Sequence, residues 1–88
     1  MKHSESEQLF NEIDQTLQEL VNFSQNNLLK CGRRIIPHLT SDDILQPNDF
    51  PELENHPIFR YEEGILAGIQ SALMAVRAYQ QRIKLHDE

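Results

Sequence analysis

The chain has 88 residues and a mass of 10.3 kDa, and 8 Lys and Arg against 14 Asp and Glu give it a net charge of −6. That length holds one domain, the single cysteine, Cys31, excludes an intrachain disulfide framework or a cysteine-built zinc cluster, and the acidic balance argues against general nucleic-acid binding. The N-terminal residues carry no apolar run and so do not read as a secretory signal. The longest weakly polar stretch, 65–76, is far short of the about 20 residues a membrane span needs. The expectation is a soluble cytoplasmic protein, with no membrane or nucleic-acid partner and with Cys31 as a small reduced core residue.

The first predicted element is a long amphipathic helix over about 5–35. Ser4 followed by Glu7 fits a capping box. Acids crowd the first turns, where the helix dipole favours them. Leu9, Phe10, Ile13, Leu17, Leu20, Val21, Leu28, Cys31 and Ile35 recur at helical steps. The polar run Ser24-Gln25-Asn26-Asn27 interrupts this stripe, but Leu28 resumes it in phase, so the prediction is one continuous helix. Lys30, Arg33 and Arg34 suit its C-terminal end. Pro37 stops it, and the residue before a proline is pushed out of helical geometry.

A connector follows over 37–56. Thr40 is a cap for a short turn through Leu45, which Pro47 ends. Asp49 with Glu52 forms a second cap-like pair, and Pro51 falls where a first-turn proline is tolerated. Two single-turn helices are therefore expected here rather than open coil.

The last predicted element is a second long helix over about 57–85, capped by Asn55 or His56 with Pro57 at its first position. Ile58, Tyr61, Ile65, Ile69, Ala72, Leu73, Val76, Tyr79 and Ile83 trace one face. Beside it run Gly64, Gly68, Ser71, Ala72, Ala75 and Ala78. Glycine inside a helix costs about 1 kcal/mol relative to alanine, so two of them four apart suggest the close approach of another backbone.

Together these elements predict an all-α antiparallel helical hairpin. A compact globule of this length has a diameter of about 31 Å, yet the two helices would be about 46 and 43 Å long. Two thin helices shield one narrow seam, while Phe23, Leu29, Phe59, Leu66 and Met74 widen the apolar bands beyond it. The expected cover is a second copy, giving a homodimeric four-helix bundle. Leu17, Leu20, Leu28, Gly64, Gly68, Ile69, Ala72, Leu73 and Val76 are the residues expected at that interface. The competing expectation is that the connector folds back as a lid and keeps the chain monomeric; the third is that another helical protein supplies the missing helices.

The search for chemistry returns little. His3, His38, His56 and His86 match no zinc-ligand spacing, although Glu52 and His56 stand four apart. Glu62 and Glu63 are adjacent and diverge on a helix; Asp42 and Asp43 fit the start of a short helix electrostatically. Arg60, with Glu63, Asp42 and Asp43, reads as a structural polar cluster that ties down the connector. No catalytic, cofactor or metal residues are assigned, and the expected protein is not an enzyme. The alternative is a small-ligand or metal-binding regulatory protein using Arg33, Arg34, His38, His56 and Arg60.

The stretch PHLTSDDILQPNDFPELENHPIFRYEEGILAG, from Pro37 to Gly68, resembles a signature of small bacterial helical proteins of unknown function. Its most distinctive parts are Asp49 to Leu53 and Pro57 to Gly64. The resemblance spans about a third of the chain and implies no activity, so no functional residue is carried over. In size, charge and shape the chain is also similar to the helical-hairpin chaperones of type III secretion, a likeness at the level of fold.

Overall fold

The computed structural model describes the backbone of residues 2–87 and the side chains of residues 5–84. Helix α1 spans Lys2–Ile35 and helix α4 spans Pro57–Asp87. Between them lie α2 (Ser41–Ile44), a 3-10 turn (Pro47–Asp49) and α3 (Pro51–Glu54). There is no strand among the described residues. The two long helices run antiparallel as a hairpin measuring 52 × 19 × 17 Å, with a radius of gyration of 17.0 Å. A globule of this length would have about 12 Å, so the elongation expected from helix length is present.

Helix α1 passes through Asn26 and Asn27 without a break. Its last turn closes with the Ile36 amide donating to the Gly32 carbonyl at 2.8 Å, and Pro37 then turns the chain. At its other end α1 already runs from Lys2, so Ser4 lies within the helix rather than at its cap. The side chains of Ser4, His3 and His86 lie outside the described residues.

The connector is more structured than two turns. Thr40 caps α2 through a full capping box: its hydroxyl accepts from the Asp43 amide at 3.2 Å, and the Asp43 carboxylate accepts from the Thr40 amide at 3.0 Å. Pro47 does more than end that turn, since it opens the 3-10 turn at a position that needs no amide donor. The expected Asp49 cap is not formed. Asp49 belongs to the 3-10 turn, and the N-cap of α3 is Phe50, without a side-chain bond. Pro51 takes the first position of α3 as expected. His56 caps α4: its Nδ1 accepts from the Phe59 amide at 3.4 Å, and its carbonyl accepts from the Arg60 amide at 3.0 Å.

The seam between the long helices follows a heptad. On α1 it comprises Phe10, Asp14, Leu17, Val21, Ser24, Leu28, Cys31 and Ile35; on α4, Phe59, Glu62, Leu66, Ile69, Leu73, Val76, Gln80 and Ile83. All sixteen are buried or half-buried. Alternating steps of three and four average about 3.5 residues, the period that keeps one stripe facing a partner helix. This corrects the expected face of α4. Phe59 and Leu66, read as surplus, are core residues, whereas Ile58, Tyr61, Ile65 and Tyr79 are exposed. The core is densest at the hinge, where Leu39 and Leu53 from the connector join Leu28, Cys31 and Phe59.

Candidate protein interface

A second stripe lies one residue before the seam on each helix. On α1 it reads Leu9, Ile13, Thr16, Leu20 and Phe23 before turning polar at Asn27, Lys30 and Arg34; on α4, Ile58, Tyr61, Ile65, Gly68, Ala72, Ala75 and Tyr79, ending at Arg82. One residue back along a helix is a rotation of about 100°. Because the helices are antiparallel, that rotation turns both stripes toward the same side of the hairpin. The result is one broad apolar face built from both helices. Its large side chains are open to solvent, with Phe23 at 64% and Tyr61 at 69% exposure.

The opposite side is different in kind. The residue after each seam position gives Asn11, Gln15, Gln18, Asn22, Gln25, Leu29 and Gly32 on α1, and Arg60, Glu63, Ala67, Gln70, Met74, Arg77, Gln81 and Lys84 on α4, a mostly polar set in which Met74 is the large exposed apolar side chain. Arg77 clamps the two helices there. Its Nε and Nη2 donate to the two Asp14 oxygens at 2.7 and 3.1 Å, and Nη2 also donates to Gln18 Oε1 at 3.2 Å. This guanidinium holds the Asp14 carboxyl below its ordinary pKa, chiefly through the side-chain hydrogen bond, while Asp14 raises that of Arg77.

The connector also sits on this side. With Gln25 and Leu29 of α1 and Glu63, Ala67 and Gln70 of α4, its residues 41–47 enclose a cleft of about 480 Å³. Arg33 fastens it, donating from Nε to the Leu39 carbonyl at 2.8 Å. Gly32 lets it approach: a methyl group there would collide with the buried Leu39 side chain and lie 3.4 Å from the Phe59 ring. Helical spacing points to Gly64 and Gly68 and not to Gly32, yet beside those two the chain places nothing within 4 Å. The close approach expected at those two positions is not made within the chain.

Of the nine residues expected at an interface, Leu28 and Leu73 are buried inside the chain, and Leu17, Ile69 and Val76 lie half-buried in the seam. The seam uses them because they fall on the heptad that faces the other long helix. Leu20, Gly64, Gly68 and Ala72 remain exposed. The polar cluster also divides. Arg60 pairs with Glu63 on its own helix at 2.7 Å, Asp43 serves the α2 cap, and Asp42 lines the cleft. Arg60 therefore does not tie down the connector; Arg33 does.

The residues read as a ligand site are dispersed among structural tasks. Arg33 holds Leu39, His56 caps α4 and Arg60 holds Glu63, while none of Arg33, Arg34, His38, His56 and Arg60 lines the cleft. No group of three or more His, Cys, Asp or Glu converges as metal ligands among the described residues. No helix among them is long and apolar enough to cross a membrane. Cys31 is a free, buried thiol. Comparison with family models, with curated proteins and with solved structures returned no match.

Proposed function

We propose that the chain is a non-enzymatic protein–protein interaction module of the cytoplasm, a helical hairpin that self-associates into a four-helix bundle. The observation that carries this reading is the exposed two-helix apolar face, with the connector packed on the opposite side. A lid that sealed the hairpin as a monomer would have to cover Phe23 and Tyr61, and the connector leaves both open. Large apolar side chains exposed together on two neighbouring helices mark an interaction site on a folded protein.

Sedimentation velocity tests the proposal. The expected species has twice the 10.3 kDa chain mass, and Phe23→Asp converts it to the monomer with its helical circular dichroism unchanged. A wild-type chain that sediments as a monomer at every concentration ends the self-association reading. A stoichiometric complex with a different helical protein would replace the second copy as occupant of the face.

A further inference from the structure

We infer that the cleft beside the connector binds a small apolar amine, with its ammonium group held by Asp42. The cleft lies on the side of the hairpin opposite the exposed apolar stripe, so a second copy on that stripe leaves it open. Its volume of about 480 Å³ falls within the range of small-ligand pockets, about 300–1,000 Å³. It is too small for a helix, which is about 10 Å across with its side chains, on a molecule only 19 × 17 Å in cross-section. Leu28, Leu29 and Leu66 line it from the long helices, and Ile44 and Leu45 line it from the connector. Leu45 is 78% exposed, so the chain itself does not cover this wall. An apolar body entering the cleft removes that surface from water, which is favourable.

The polar lining sets the charge of the occupant. No Lys, Arg or His lines the cleft, whereas Asp42 and Glu63 both do. Glu63 is already offset, since its Oε1 accepts from Arg60 at 2.7 Å. Asp42 is not. In the capping box of α2 it is the neighbouring Asp43 that accepts from the Thr40 amide. The Asp42 carboxylate takes part in no hydrogen bond or ion pair among the described residues. An ionised carboxylate only accepts hydrogen bonds, and a primary ammonium only donates them, from three N–H groups. Asp42 takes one; the side-chain carbonyls of Gln25, Asn26 and Gln70, in the same lining, are acceptors for the others. An anion would meet the Asp42 charge with no cation beside it. The occupant that fits therefore joins an apolar body to one positive charge.

Chemical-shift titration of the full-length chain with phenylpropylamine tests the assignment, beside phenylpropanol and phenylpropanoate, which share the apolar body and differ in charge. The amine should move the backbone amide signals of Ser41, Asp42 and Ala67 and bind more tightly than the alcohol, and the carboxylate should bind most weakly. An exposed ion pair changes affinity by about twofold to fivefold. Asp42→Asn should cost the amine that factor and leave the alcohol unchanged, with Thr40 and Asp43 still capping α2. Glu12→Gln removes the same charge from an exposed site on α1 outside the cleft and should change neither. Ala67→Trp, at an exposed position, should fill the cleft and abolish binding of both with helical circular dichroism retained. Equal affinity for all three probes, an amine preference that survives Asp42→Asn, or no shift at the cleft, including shifts confined to the face of Phe23 and Tyr61, overturns the assignment.

Discussion

Gly32 is the tightest glycine in the fold. Alanine there would gain about 1 kcal/mol of helix propensity but would press on Leu39, which is 1% exposed and has nowhere to move. Overpacking of this kind costs about 1–3 kcal/mol, so Gly32→Ala should lower the urea midpoint. Gly64→Ala meets open space and should raise stability by about 0.5–1 kcal/mol in the same titration. The Asp14–Arg77 pair sets a pH dependence. Asp14 has its pKa lowered by folding, so its stabilisation is present above the ordinary carboxylate value of about 4. It is lost as pH falls through the lower native value. In thermal melts across that interval, wild type should lose stability that Asp14→Asn does not; parallel curves would show that the pair contributes nothing.

At the scale of elements, the boundaries were legible because they rest on local chemistry. Pro37 ends α1, Thr40 and Asp43 make the cap of α2, Pro51 opens α3, and His56 with Pro57 starts α4. Asp49 misled because the 3-10 turn claimed it first. The phase of the buried stripe was not legible. Each long helix carries two apolar rows one residue apart, Phe59/Leu66/Leu73 beside Ile58/Ile65/Ala72 on α4, and both satisfy helical periodicity. Which row turns inward is decided by packing against α1, a non-local contact that the pattern of one helix does not contain. For the same reason the residues expected at an interface fall on both rows: Leu20, Gly68 and Ala72 lie on the exposed row, while Leu28 and Leu73 lie on the buried one. Adjacent substitutions check the phase. Leu73→Ala should cost about 2–5 kcal/mol and Met74→Ala less than about 0.5 kcal/mol, both by urea unfolding. Equal losses would contradict the heptad seam. The cap of α4 is checked by His56→Ala, which should cost about 0.5–2 kcal/mol, and by His56→Asp, which should restore that loss.

The whole molecule is long because it is built from two helices and a short connector, and its core is distributed unevenly along that length. The fully buried side chains Leu28, Leu39, Leu53 and Phe59 all gather at the hinge. From residue 5 to residue 20, and again from 74 to 84, every described side chain is exposed or half-exposed. Local stability follows buried contact, so an isolated hairpin should unzip from its open end while the hinge stays closed. Hydrogen exchange would record this as a gradient, fastest for the amides near Leu9 and Tyr79 and slowest near Leu28 and Phe59. A chain whose amides all exchange at one global rate would contradict it. A companion laid along the open half would flatten the gradient, so the slope of protection along one helix would itself measure occupancy of the apolar side.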